Sequence, residues 1–156
     1  MENTAGQPVS VLARDLMRMA VKGSLATLDR ASGAPYVSMV NLVADLDGSP
    51  VMLLSDLARH TANLNADARA SLLLDQTNAH GDPATGARLT LMGCMARSVD
   101  PALRDRYLAR LPSAADYVDF GDFAFWRLEI ESGHFIGGFG RIHTLGRAGL
   151  CLDASH

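Results

Sequence analysis

The sequence predicts a mainly β protein of the α+β class, an antiparallel barrel of six or seven short strands with flanking helices. Three observations lead to this prediction. Short apolar runs rich in β-branched residues recur along the chain, and a strong hairpin signal, Asp47-Gly48, separates two of them. The regular alternation of strand and helix that a parallel sheet requires is absent. At 156 residues, the chain is long enough for one domain with its own core.

An amphipathic helix opens the fold. Apolar residues recur there at helical spacing and form one face: Val9, Leu12, Ala13, Leu16, Met17 and Ala20. The helix is expected to end by Gly23, and "SLATL" follows as the first strand. The turn "RASGAP" leads to "YVSMVNLV", a second strand, and "VMLL" returns after the hairpin signal as a third.

The stretch "LSDLARHTANL", residues 54–64, predicts a short helix between two apolar strands. Ser55 or Asp56 is expected to cap it, and its inner face is expected to carry Leu57, Thr61 and Leu64. Arg59 and His60 fall in the first turn, where the helix dipole disfavours cations. A bound phosphate would reverse that preference, whereas solvated surface side chains would need no ligand. The local pattern leaves both interpretations open.

The second half of the chain continues as strands around one further helix. "ASLLLD" and "ARLTLMGCMARSV" read as strands, and Asp100 and Pro101 are a typical helix start. The apolar residues Ala124, Trp126, Leu128 and Ile130 alternate with Arg127, Glu129 and Glu131, which indicates a half-buried strand. "HFIGGFG" is predicted to be a last short strand that ends in glycines.

Composition narrows the class of partner. The chain is 48% hydrophobic and 20% charged with a net charge of -3, so neither nucleic acid nor an anionic membrane is expected. No apolar run approaches the ~20 residues of a membrane span, and the N-terminus does not resemble a secretory signal. A cytoplasmic protein is expected. His134 and His143 are nine positions apart without ligands at zinc-site spacing, so no structural metal is expected.

The order of these elements, with "SDLARHTANL" and "HFIGGFGRIH", resembles the pyridoxamine 5′-phosphate oxidase-like family. The chain looks closest to a short subgroup related to the haem-utilisation proteins. The resemblance implies an FMN-binding split β-barrel over residues 9–145, a flexible N-terminus over 1–8 and a C-terminal tail over 146–156.

The resemblance also implies a cofactor site. Arg59 and His60 would hold the FMN phosphate, and the rest of the cofactor would contact Ser38, Met39, Val40, Asn41, Ser55, Thr61 and Asn63. Two chains of such proteins enclose each FMN, so a homodimer with FMN at the subunit interface is implied.

The segment "RIH" resembles the substrate-binding end of the oxidase. Arg141 would bind an anionic group of a small-molecule substrate and His143 would transfer a proton, which makes them the candidate catalytic residues. Ile136 stands where the oxidase has a tryptophan, so pyridoxamine oxidation is not expected. The substrate stays unknown.

Three functions follow from these observations. The first is an FMN-dependent oxidoreductase. The second is a haem-binding or haem-degrading protein on the same barrel, with His143 or His134 as the iron ligand. Against the second, the chain length leaves no room for the extra C-terminal domain of longer relatives. The third is a non-catalytic flavin-binding module.

Overall fold

A computed structural model describes residues 6–77, 81–138 and 140–153 of the protein. Within these residues, eight strands form one sheet, and four α-helices flank it. The strands are β1 (Lys22–Leu28), β2 (Pro35–Asn41), β3 (Val43–Ala44), β4 (Pro50–Ser55), β5 (Arg69–Asp75), β6 (Arg88–Ser98), β7 (Phe123–Ile136) and β8 (Ile142–Gly146). The helices are α1 (Val9–Met19), α2 (Arg59–Ala66), α3 (Ala102–Arg110) and α4 (Arg147–Leu150).

All strand pairs are antiparallel, in the order β2-β1-β5-β6-β7-β4-β3, and β8 also pairs with β7. The 14-residue strand β7 pairs with β4 along its first residues and with β8 along its last. The sheet curls until β2 contacts β4, which produces a partly closed barrel. The predicted fold class is therefore confirmed.

The core lies inside the curl. Leucines from β1, β5 and β6 point inward, and α1 buries Ala13, Leu16 and Met17 against them. A second apolar cluster lies beneath α3, where Leu103 and Tyr107 pack onto Val51 of β4. Gly48 supplies the positive φ of 91° that the predicted hairpin between β3 and β4 requires.

The start of α2 differs from the prediction. The helix begins at Arg59 with Ala58 as its N-cap, so neither Ser55 nor Asp56 caps it. The Ser55 hydroxyl instead accepts a hydrogen bond from the Leu57 N–H at 3.1 Å, in the turn before the helix. Leu57 therefore lies outside α2, is 87% exposed and does not belong to the inner face.

The C-terminal part of the fold also differs from the prediction. The "HFI" of "HFIGGFG" is the end of the long strand β7 and not a separate strand, because β6 pairs with β7 as far as Ile136. The chain then returns as β8, followed by α4. Residues 147–150, which the sequence assigned to a tail, form this helix, and Leu150 is fully buried in the core.

The predicted terminal segments lie partly outside the described residues, which exclude 1–5 and 154–156. Among the helices in the described ranges, none is both long and apolar enough to cross a membrane.

Candidate functional site

A cavity of about 260 Å³ opens where β2 and β4 meet the start of α2. Parts of the chain that are distant in sequence form its walls: β2, β4, the start of α2, α3, and the aromatic segment that leads into β7. Its lining residues are Met39, Val40, Asn41, Leu53, Leu54, Ser55, Ala58, His60, Tyr107, Tyr117 and Phe123. Most of these side chains are apolar or aromatic, with a few polar groups among them, which is the usual composition of a small-molecule site.

His60 is the titratable imidazole of this cavity. The second position of α2 brings its Nδ1 to 3.2 Å from the Ser38 hydroxyl on β2. Its Nε2 is buried and has no hydrogen-bond partner among the described residues. Burial lowers the pKa of the His60 imidazole, because the charged form is poorly solvated there. The ring is therefore neutral at physiological pH.

A neutral imidazole of this kind can bind a metal. If Nδ1 donates its proton to the Ser38 hydroxyl, the lone pair remains on Nε2, the nitrogen without a partner. Such a second hydrogen bond commonly sets the tautomer and orientation of metal-binding histidines. The alternative tautomer would leave a buried N–H unsatisfied, which is unfavourable.

The aromatic wall of the cavity is firmly packed. Tyr107 is 1% exposed, and its ring meets that of Phe125 edge-on at a centroid distance of 5.4 Å. Burial raises the pKa of the Tyr107 phenol, so its hydroxyl stays protonated. The rings of Tyr117 and Phe123 lie beside it, with centroids 5.1 Å apart and planes tilted by 42°. Tyr107, Tyr117 and Phe123 give this side of the cavity an aromatic lining.

Ser55 lies at the polar end of the cavity. Its hydroxyl donates to the Asp122 carboxylate at 2.7 Å and accepts from the Leu57 N–H. The turn before α2 is therefore tied to the segment before β7. The hydrogen bond between Ser55 and Asp122 thus links two walls of the cavity.

Arg59 does not line the cavity. Its guanidinium donates to the Asp29 carboxylate at 2.7 Å and lies over the Tyr36 ring, 4.7 Å from the centroid. The Arg59 hydrogen bond holds the pKa of the Asp29 carboxyl well below its usual range, assisted by N–H groups of Ser32 and Ala31. An acid from another part of the chain therefore balances the cation in the first turn of α2.

Thr61 and Asn63 are buried within the fold and do not line the cavity. The Asn63 side chain accepts from the Arg30 N–H at 3.0 Å and donates to the Thr27 hydroxyl at 3.1 Å. These bonds attach α2 to the end of β1 and the following turn. Asn63 therefore has a structural role in the described chain.

Arg141 and His143 do not line the cavity either. His143 is exposed and pairs with Phe135 of β7, which is 12 positions from the cavity residue Phe123. At ~3.3 Å per residue, that separation is roughly 40 Å along the strand. Arg141 donates to the Gln7 carbonyl at 3.1 Å. His134 is likewise exposed on β7, with its Nδ1 3.4 Å from the Thr144 hydroxyl.

Of the nine predicted cofactor-binding residues, the structure gathers five in the cavity wall: Met39, Val40, Asn41, Ser55 and His60. Ser38 contacts His60 directly. Sequence reasoning missed the aromatic wall, although the segment "DYVDFGDF" carries an unusual density of aromatic residues for an irregular region. It also missed Tyr107, whose periodicity on α3 indicates only burial.

Named relatives are proteins of haem metabolism. The chain is 37% identical over 131 residues to the non-canonical heme oxygenase HOZ of Arabidopsis thaliana, with 80% of this chain and 39% of that protein covered. It is 29% identical over 128 residues to the heme oxygenase HutZ of Vibrio cholerae, which covers 78% of this chain and 72% of HutZ. The chain thus spans well under half the length of the Arabidopsis protein.

Solved structures support the same fold. A heme binding protein from Mycobacterium smegmatis is 32% identical with a TM-score of 0.80, over 92% of this chain and 60% of that one. A putative pyridoxamine 5′-phosphate oxidase from Listeria innocua is 12% identical with a TM-score of 0.67, over 84% of this chain and all of that one. At that identity the second likeness concerns the fold alone, and it agrees with the split barrel expected from the sequence.

The predicted cofactor FMN is wrong. The relatives named above are heme oxygenases and a heme binding protein, and none of these three is named a flavoprotein. The predicted function of an FMN-dependent oxidoreductase therefore has no support from these relatives. The structure supplies a physical reason at Arg59, because a phosphate bound there would have to compete with the Asp29 carboxylate that the guanidinium already holds.

The match to a known family of barrels, which the sequence predicted, extends over almost the entire chain. The model of the CREG beta-barrel family matches residues 6–149, which include all eight strands and most of α4. The chain belongs to the CREG beta-barrel family.

Proposed function

We propose that this protein binds haem in the cavity between β2, β4 and α2, with His60 as the ligand to the iron. The observation that carries the proposal is the neutral imidazole of His60, which lines an apolar cavity while its buried Nε2 has no partner among the described residues. A neutral imidazole is the usual proximal ligand of haem iron.

The surroundings of His60 suit a porphyrin better than a bare ion. The described residues contain no group of three or more His, Cys, Asp or Glu side chains that could hold a metal ion. In haem, the macrocycle supplies four nitrogen ligands, so one protein side chain is sufficient. The apolar residues Leu53 and Leu54 and the rings of Tyr117 and Phe123 offer the surface that a flat, largely apolar macrocycle needs.

The size of the cavity favours a site completed by a second copy of the chain. Its volume of about 260 Å³ falls below the ~300–1,000 Å³ of typical small-molecule sites. Met39, one of its lining residues, is 68% exposed at the edge strand β2. A homodimer that covers Met39 would deepen the cavity and shield its ligand from water.

Degradation of haem is the second candidate function. It is favoured by the names of two relatives, which are both heme oxygenases. Bound haem would supply the oxygen and electron chemistry through its iron. The residues of this chain would hold the iron through His60, orient the ring against Tyr117 and Phe123, and exclude water from it.

Haem titration followed by visible spectroscopy tests the proposal. Wild-type protein should give a saturable Soret band, and His60→Ala should shift that band and weaken binding at least about tenfold, because it removes the iron ligand. His143→Ala and His134→Ala are matched controls outside the cavity and should bind as the wild type does. Binding that is unchanged in His60→Ala, or lost in a control instead, would reject His60 as the ligand.

The two candidate functions are separated by adding a reductant to the haem-loaded protein in air. Loss of the Soret band with release of a linear tetrapyrrole would support degradation. A stable spectrum would leave binding alone as the function.

A further inference from the structure

A second cavity, of about 240 Å³, lies between α1, α3 and β3 and is lined by three arginines. Its walls consist of Arg18 from α1, Arg106 and Arg110 from α3, and the small apolar residues Val43, Ala44 and Ala109. Among the described residues, no acidic side chain lines it. We propose that this cavity binds the phosphate group of a small anionic ligand, at a site separate from the cavity around His60.

Among the described residues, the arginines of the cavity outnumber their acidic partners. Arg106 forms an ion pair with Asp45, whose side chain is only 7% exposed. The same carboxylate also pairs with Arg127, so one negative charge serves two guanidinium groups. Arg127 has a further partner in Asp47, at 3.4 Å. Asp45 therefore cannot neutralise the other arginines of the cavity.

The two remaining arginines of the cavity, Arg18 and Arg110, have no acidic partner among the described residues. Arg110 donates to the Met19 carbonyl at 3.1 Å, which is a neutral acceptor. Arg18 is exposed and pairs with no acid among the described residues. The concentration of positive charge in one cavity contrasts with the net charge of -3 on the whole chain.

A phosphate group matches this arrangement. Guanidinium groups bind phosphate oxygens through paired, charge-assisted hydrogen bonds. Arg18 and Arg110 would supply these bonds, whereas Arg106 is already paired with Asp45. Val43, Ala44 and Ala109 add no polar side chain that would compete for such bonds.

A simpler explanation also has to be tested. Arg18 and Arg110 lie in the last turns of α1 and α3, where cations interact favourably with the helix dipole. On that explanation the arginines stabilise the helix ends and bind nothing. The two explanations differ in whether phosphate occupies the cavity.

Calorimetric titration of the full chain with inorganic phosphate and with a soluble phosphomonoester, at low ionic strength, distinguishes them. Wild-type protein should bind at least one of these probes saturably with 1:1 stoichiometry. The Arg18→Ala, Arg110→Ala double variant should bind at least about tenfold more weakly, because it loses charge-assisted bonds. Tighter binding of the ester would identify a larger phosphorylated ligand, and equal binding would identify free phosphate.

Arg104→Ala is the matched control. It removes the same charge from α3, but Arg104 pairs with Asp119 at 2.7 Å and does not line the cavity. Its affinity should equal that of the wild type. Arg18→Ala alone guards against misfolding, because that exposed side chain forms no ion pair with the described residues and lies outside the buried core. Absence of saturable binding by the wild type at millimolar phosphate, or an equal loss in Arg104→Ala, would overturn the proposal.

Discussion

Arg59 and His60 are neighbours in the first turn of α2, yet they have different surroundings. Arg59 points to Asp29 and the Tyr36 ring at the surface, while His60 is partly buried beside Ser38 in the cavity wall. A phosphate site formed by Arg59 and His60 would require both side chains to face one ligand. One position along a helix rotates a side chain by about 100°, so adjacent residues do not share a face.

The burial of His60 predicts a pH dependence of stability. The unfolded imidazole has a pKa of 6.5, and burial lowers the pKa in the folded state. Below pH 6.5 the unfolded state therefore binds more protons than the folded state, and stability decreases as the pH falls toward the folded-state pKa. Above that window the residue is neutral in both states and contributes no pH dependence.

Urea unfolding of the wild type and His60→Gln, from pH 8 to pH 5, measures this effect, since glutamine does not titrate. The wild type should lose free energy of unfolding relative to the variant only at the acidic end. Parallel curves for the two proteins would show that the folded structure does not perturb His60.

Asn63 provides a second prediction at this scale. Asn63→Ala removes both hydrogen bonds of the side chain and leaves the Arg30 N–H and the buried Thr27 hydroxyl without their partner. We expect a loss of about 1–3 kcal/mol in the free energy of unfolding. Chemical denaturation measures it, with Asn41→Ala at the exposed end of β2 as the control. An unchanged denaturation midpoint would contradict the structural role.

At the scale of elements, the ladder between β6 and β7 organises the barrel. Its register shifts between Met92 and Gly93, which marks a β-bulge or similar irregularity. Bulges bend and twist a strand, so this one helps the sheet curl around the core. A Cβ built at Gly93 would lie 2.0 Å from the Glu129 carbonyl oxygen, which shows how closely the two backbones approach there.

Gly93→Ala should therefore be strongly destabilising, by about 1–3 kcal/mol or more, because the β7 backbone would have to move. Gly146→Ala is the matched control: this glycine also lies in a strand, but a Cβ there would meet nothing within 4 Å. Thermal unfolding followed by circular dichroism measures both. Equal melting temperatures for the two variants would contradict the close approach at Gly93.

At the scale of the whole molecule, one outer face of the sheet is unusually apolar. Strand register places Val37, Leu73, Met92 and Met39 on the face opposite the core, where they are 62%, 38%, 56% and 68% exposed. Contiguous exposed apolar patches often mark protein–protein interfaces. The patch reaches the cavity at Met39, which is why a second copy of the chain is proposed to cover it.

Light scattering of the purified protein should report a dimer. Val37→Glu should shift it toward the monomer, because burying an unpaired carboxylate in an interface is costly. Leu46→Glu is the control, since Leu46 is 75% exposed in the hairpin between β3 and β4, away from this face. A wild-type monomer, or a Val37→Glu variant that remains fully dimeric, would reject the interface.

The sequence by itself determined the local structure of this protein. Apolar spacing predicted α1 and the half-buried strands, and Asp47-Gly48 predicted the hairpin, because these signals depend on neighbours within a few residues. The pattern also indicated the antiparallel class, while the family resemblance indicated five residues of the cavity wall. Resemblance over most of the chain placed it in the correct fold.

Only the tertiary structure decided which side chains meet. Asp29 reaches Arg59 from 30 positions away, and Ser38 reaches His60 from 22 positions away. Tyr107 and Phe123 complete the cavity from elements that follow β4 by more than 45 residues. Such contacts depend on how the sheet curls and where α3 packs, and no local pattern encodes either. The different contacts of Arg59 and His60 therefore follow from the tertiary structure and not from the local sequence.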